Sequence, residues 1–126
     1  MVLREVLVAD RRYYGEWKTR GEVAEAFFPE YEKTPVPETF PTDGEVVFAV
    51  YSAEGYDGRA LVVYRRGGQL YEVHGSHCSC YGLGGQWEPE ATTVEALGMR
   101  DAAWYGSHDP EVVAAYSRLF PRYEPT

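Results

Sequence analysis

The feature that most constrains this chain lies between residues 45 and 75, where three β-rich runs follow one another with almost no room between them. EVVFAVYSA (45–53) and GRALVVYRR (58–66) are separated only by the turn region EGYDG, and RRGGQ leads directly into QLYEVHG (69–75). β-branched and aromatic side chains suit a pleated surface, and a Gly-Gly pair between two such runs marks a tight hairpin. Connections this short permit antiparallel neighbours only, because a parallel partner needs a crossover of a dozen or more residues. The expected nucleus is therefore a three-stranded antiparallel meander. In its first two strands both alternating faces are apolar: Val46, Phe48 and Val50 against Val47, Ala49 and Tyr51, then Leu61 and Val63 against Ala60, Val62 and Tyr64. Such strands must be covered on both sides. The third sets Tyr71 and Val73 against Leu70, Glu72 and His74, the alternation of a strand nearer an edge.

The flanks supply the cover. Residues 2–9 (VLREVLVA) fit both period 2 and helical spacing; their valines favour a strand, which would be a fourth in the sheet. Asp10 to Gly15 reads as a turn. Thr19 and Glu22 then have the spacing of a capping box, and Val23, Ala26 and Phe27 make one apolar side of a helix over 20–28 that Pro29 ends. Four prolines between Pro29 and Gly44 mark a long loop, with Tyr31, Val36 and Phe40 expected to pin it to the body. Thr92 and Glu95 repeat the capping-box spacing ahead of a second helix, with Val94, Leu97 and Ala102 apolar, Gly98 a weak point and Gly106 a stop. Asp109 as N-cap, Pro110 and Glu111 open a third helix, whose Val112, Val113, Tyr116, Leu119 and Phe120 face the core until Pro121. The expectation is one α+β domain of 126 residues: a small antiparallel sheet packed with about three short helices.

Charge narrows the partners. Nine acids and one base lie between Arg20 and Arg59, and this third of the sequence carries the whole net charge of −8. That balance argues against general affinity for nucleic acid or an anionic membrane. A solvated acidic face is the usual explanation, and the alternatives are a docking surface for a basic partner or mimicry of a nucleic-acid backbone. No run reaches the roughly 18 apolar residues that span a bilayer, the N-terminal stretch is charged within any would-be signal core, and two cysteines do not make a disulfide framework. A cytoplasmic location is expected. Eleven tyrosines offer apolar bodies with polar tips, suited to amphipathic core walls or to a recognition surface.

Chemistry-bearing residues concentrate in HGSHCSCYGLGGQWEPE (74–90). This stretch leaves a strand and reaches a helix N-terminus, a position where loops commonly carry function. His74, His77, Cys78, Cys80 and, from afar, His108 are ligand types that zinc selects, although a segment this short does not easily wrap a tetrahedral ion. Were the chain an enzyme, Cys78 or Cys80 would be the thiol, with His77 its base. The GLGG run could hold a phosphate, which would make the chain a nucleotide-binding sponge, but it lacks the Lys-Ser/Thr of a P-loop. Alternatively the cysteines are small buried hydrophobes, and Tyr81, Gly84, Gln86, Trp87, Glu88 and Glu90 form a shaped recognition surface.

The block from Gly55 to Leu97 resembles one in small bacteriophage-encoded proteins, in which a His-Cys-Ser-Cys-Tyr-Gly-Leu run is followed by Gln-Trp-Glu-Pro-Glu and a Thr-Thr-x-Glu-Ala-Leu helix start. The matching positions run from His77 to Leu83 and from Gln86 to Glu90, within about a third of the chain. The resemblance implies a phage or prophage source and no particular activity. The leading expectation is an accessory protein of the host bacterial cytoplasm that binds a host or phage macromolecule. The alternatives are a small metal- or thiol-dependent enzyme centred on Cys78 and Cys80, and the nucleotide sponge.

Overall fold

The computed structural model describes residues 11–54, 57–78, 82–100 and 109–122, with the backbone alone at residues 54 and 78. Along the chain the elements are β1 (Tyr13–Gly15), α1 (Arg20–Phe27), a 3-10 turn (Glu30–Glu32), β2 (Val46–Glu54), β3 (Asp57–Arg66), β4 (Gln69–Cys78), β5 (Glu90–Thr92), α2 (Val94–Gly98) and α3 (Pro110–Leu119). The fold is α+β. The strands form one five-stranded sheet in the order β1-β2-β3-β4-β5.

The meander stands where the sequence places it. β2, β3 and β4 pair antiparallel, with Val50, Leu61 and His74 in one row and Ala49, Val62 and Val73 in the next. Gly67 and Gly68 both have positive φ (60° and 81°), the requirement of a two-residue hairpin whose twist matches its strands. A register shift between Val46 and Phe48 adds one residue to β2, so Val46 and Ala49 serve the same face while Phe48 and Val50 serve the other.

Two cores result. On one face Phe48, Val50, Leu61, Val63 and Leu70 meet Leu97 of α2, Val112, Ala115 and Tyr116 of α3, and Phe120 at its C-cap. Val46, Ala49, Ala60, Val62, Tyr64 and Val73 on the other meet Val23, Ala24 and Phe27 of α1, with Trp17, Phe40 and Leu83 from the connections. Each fully buried Val, Leu or Phe side chain here contributes roughly 1.5–3 kcal/mol. The capping box of α1 is complete: Thr19 Oγ1 accepts from Glu22 N–H at 3.2 Å, and Glu22 Oε1 accepts from Thr19 N–H at 3.1 Å. Asp109 caps α3 at Glu111 N–H (2.9 Å), and the Tyr116 hydroxyl donates to Leu97 O (2.6 Å), locking α3 onto α2.

The sheet is larger than the expected three-stranded meander and is mixed. Tyr13–Gly15, expected as part of a turn, is a strand parallel to β2, reached through the α1 crossover. Its end is fixed by close approach: Glu16 N–H donates to Tyr51 O (2.8 Å), and a Cβ on Gly15 (φ 68°) would stand 2.1 Å from that oxygen. β5 adds a strand outside β4, so β4 is not an edge over residues 70–72. Thr92 ends β5, and the N-cap of α2 is Thr93, whose Oγ1 accepts from Ala96 N–H at 3.0 Å; the Thr92–Glu95 box is off by one residue. Within the long loop Phe40 and Pro41 are buried, as is Pro29 at its start, whereas Tyr31 (76% exposed) and Val36 (42%) face solvent. Residues 2–9, Ala102 and Gly106 lie outside the described residues. Among those described, no helix is long and apolar enough to cross a membrane.

Candidate functional site

Residues 82–88 turn back over the end of β4 on the α1 face. Leu83 is buried against that face, and a Cβ on Gly75 would come within 2.9 Å of Leu83 Cδ2 and 3.3 Å of Phe27. Past the three residues covered by β5, the exposed edge of β4 needs partners for its peptide groups. Gln86 supplies them at Ser76: its Oε1 accepts from Ser76 N–H (2.9 Å), and its Nε2 donates to Ser76 O (2.8 Å) and Gly82 O (3.2 Å). One side-chain amide thus extends the sheet by one residue pair. Trp87 completes the anchorage with its ring centroid 4.7 Å from Phe40, 5.0 Å from Phe27, and 6.2 Å from Phe28 and Tyr64.

Two of the expected metal ligands are parted by the sheet. β4 pairs with β3 in unbroken register, so His74 and His77 project to opposite faces. His74 joins Glu72 on the α2 side, and His77 joins Tyr51 on the α1 side. Among the described residues no three His, Cys, Asp or Glu side chains converge as a metal site. Cys78 ends β4, while Cys80, Tyr81 and His108 lie outside the described residues.

Glu72 is the buried acid of this region, its side chain 4% exposed. Burial alone would raise its carboxyl above the ordinary range, but hydrogen bonds from Arg100, Thr92 and His74 outweigh it and hold the group at about 2. Arg100 grips it as a fork, Nη1 on Oε1 and Nη2 on Oε2 at 3.1 Å. A carboxylate only accepts, so the His74 Nε2 that meets Oε1 carries the proton. The 3.3 Å approach of Arg100 Nη1 to His74 Nε2 is then two donors converging on one oxygen and not a bond between them. The cluster joins β4, β5 and the residues just past α2.

Across the sheet, Tyr51 on β2 and His77 on β4 are hydrogen-bonded over the central strand. Gly58 on β3 makes this possible: a Cβ there would lie 2.5 Å from His77 Nε2 and 2.9 Å from Tyr51 Cε1. Burial, aided by the negative charge of Glu16, raises the Tyr51 phenol, so it stays protonated near neutrality. His77 Nδ1 is buried without a hydrogen-bond partner among the described residues. Gly58→Ala is expected to force the pair apart and to lower stability by about 1–3 kcal/mol, the usual cost of overpacking. Urea unfolding and the ring resonances of His77 check it; an unchanged midpoint with unchanged resonances would refute the crossing.

The chain matches no protein-family model, no curated protein and no solved structure.

Of the expected recognition residues, Gln86 and Trp87 are spent on holding the loop, Gly84 abuts Glu32, and Glu88 and Glu90 are exposed. The Gly84 contact joins two segments far apart in sequence. A Cβ at Gly84 would fall 2.4–2.7 Å from the Glu32 carboxylate, so the 3-10 turn and the glycine loop lie side by side. Sequence reasoning missed two groupings, Glu72 with Arg100 on one face and Tyr51 with His77 over Gly58 on the other. Two signals were there: a glutamate on the core-facing side of β4, and a glycine inside a strand, which marks close approach by another group.

Proposed function

We propose that this chain acts by binding, as a phage-type accessory protein of the host bacterial cytoplasm whose partner is a host or phage protein with a basic segment. The observation that supports this reading is the joined surface of the 3-10 turn and the glycine loop. Glu30, Glu32 and Glu88 are exposed there, and Tyr31, 76% exposed, stands at the crest between Glu30 and Glu32 with no packing role. An exposed tyrosine flanked by acids suits a cationic segment, which gains Coulomb attraction, a cation–π contact and a hydroxyl partner. The anchored loop presents this surface with little ordering left to pay on association.

The test is a comparison of two baits in host lysate and phage-infected lysate: the natural chain, and a variant carrying Glu30→Lys, Tyr31→Ser and Glu32→Lys. A protein retained by the first and lost by the second, then shown to bind directly and more weakly at higher salt, supports the reading. Nothing retained, or the same proteins on both baits, ends it. The rival enzyme reading draws on His77 Nδ1, which has no hydrogen-bond partner among the described residues and precedes Cys78 in sequence, and it requires that a Cys78→Ser, Cys80→Ser variant lose activity or a bound metal.

A further inference from the structure

At the other end of the sheet, where β2 and β4 begin and β3 ends, a cleft of about 410 Å³ opens on the α3 side. That volume lies within the range of small-ligand pockets and holds roughly a dozen non-hydrogen atoms, taking the volume of a liquid water as the unit. Its floor is apolar: Val47, Leu70, Val94 and Leu119. Its rim is cationic, with Arg11, Arg12, Arg65 and Arg118 brought together from just before β1, the end of β3 and the last turn of α3. In a chain of net charge −8 this concentration is against the trend of the sequence.

The acids nearby leave two of the four, Arg65 and Arg118, unengaged among the described residues. Glu45 lines the cleft, but Arg66 donates to both of its oxygens (3.1 and 2.9 Å). Glu111 pairs with Arg11 at 2.9 Å, in an exposed contact of little strength. Arg12 is pinned to the wall by donating to Asp43 O and to Val46 O (3.1 Å), which fixes its position on the rim. The Arg65 and Arg118 side chains have no hydrogen-bond or ion-pair partner among the described residues. Arg118 suits the C-terminal end of a helix dipole, but that accounts for one cation and not for four around an apolar floor. Guanidinium groups gathered in this way repel, and a bound anion relieves the repulsion while its apolar part covers the floor.

We propose that this cleft binds a small amphipathic anion: an apolar chain or ring ending in a carboxylate or a phosphate. The site is separate from the acidic surface of the proposed function and opposite to it in charge.

The experiment titrates the full chain with decanoate and with decyl phosphate, using decanol and inorganic phosphate as the tail-only and head-only controls. Calorimetry gives affinity, and methyl resonances give location. The expected result is binding of at least one of the two amphiphiles about tenfold or more tighter than either control, with shifts at Val47, Leu70, Val94 and Leu119. Which amphiphile binds more tightly decides between carboxylate and phosphate. Arg65→Gln and Arg118→Gln should each weaken binding by about tenfold while leaving the melting temperature of the free protein in place, since the side chains are exposed and like-charged. Val94→Phe, which fills the cleft without touching the arginines, should abolish binding. The inference is overturned if neither amphiphile binds at millimolar concentration, if decanol binds as tightly, if the shifts fall on residues 82–88, or if both arginine variants bind like the natural chain.

Discussion

Arg100→Met is expected to lower the unfolding free energy by about 3–5 kcal/mol, more than any change to Glu72 itself. The asymmetry follows from burial. The Glu72 side chain is 4% exposed, whereas those of Arg100 and His74 are 38% and 37% exposed. Removing the arginine leaves a carboxylate in the sheet-to-helix interior with its main counter-charge gone. Removing the carboxylate leaves Arg100 and His74, which are part-exposed and can turn toward water, so Glu72→Gln should cost only about 1–2 kcal/mol, the scale of lost charge-assisted hydrogen bonds. A double variant, Glu72→Met with Arg100→Met, should recover much of the loss, because the apolar pair suits the layer made by Leu70 and Leu97. Urea denaturation of the three variants forms a thermodynamic cycle. Equal losses for Arg100→Met and Glu72→Gln would show that the carboxylate is effectively solvated.

The same group sets the acid limit of the fold. Its folded value of about 2 lies below its ordinary 4.5, so the natural chain gains stability from Glu72 above pH 4.5. That gain, on the order of 3 kcal/mol, disappears as pH falls from about 4.5 toward 2. In Arg100→Met the strongest opposition to burial is gone and burial pushes the carboxyl up. The sign then reverses, and stability falls as pH rises through the raised value. Opposite slopes of unfolding free energy against pH in the two proteins are the signature to look for.

How far the sequence could be read follows the range of the interactions involved. The meander was legible because short connections and period-2 patterning are local, and α1 and α3 were legible because a cap and a proline announce them. β1 was not: three residues show no period, and parallel pairing to β2 is made across the α1 crossover and the long loop. β5 failed in the same way, and its last residue, Thr92, offered a hydroxyl at capping spacing from Glu95 while the true cap is Thr93. At the candidate site the sequence placed Leu70, Glu72 and His74 on one face of β4, and the structure agrees. It could not supply Arg100, which arrives through α2, and so a buried carboxylate looked like an edge-strand charge. Adjacency in sequence was a poor guide to the histidines, because in a strand an odd separation sends two side chains to opposite faces.

Trp87→Ala should be the most disruptive change in the glycine loop, lowering stability by about 3 kcal/mol, toward the lower end for loss of a large aromatic because the ring is only partly buried. The ring meets Phe27 of α1 and Phe28 just past it, the long loop through Phe40 and the sheet through Tyr64. Gln86→Ala removes three hydrogen bonds but leaves that packing, and its peptide partners at Ser76 lie at an exposed edge where water can replace it, so about 1 kcal/mol is expected. Hydrogen exchange separates the two roles. In Gln86→Ala the Ser76 amide should lose its protection while Leu83 and residues 39–41 stay ordered. In Trp87→Ala all three regions should open together, because Phe40 loses the partner that holds the proline-rich loop. If the ring sets the loop's shape, Trp87→Ala also weakens capture of a partner at Tyr31 without altering a residue of that surface. Retained Ser76 protection in Trp87→Ala would instead make the glutamine the anchor and the tryptophan a passenger.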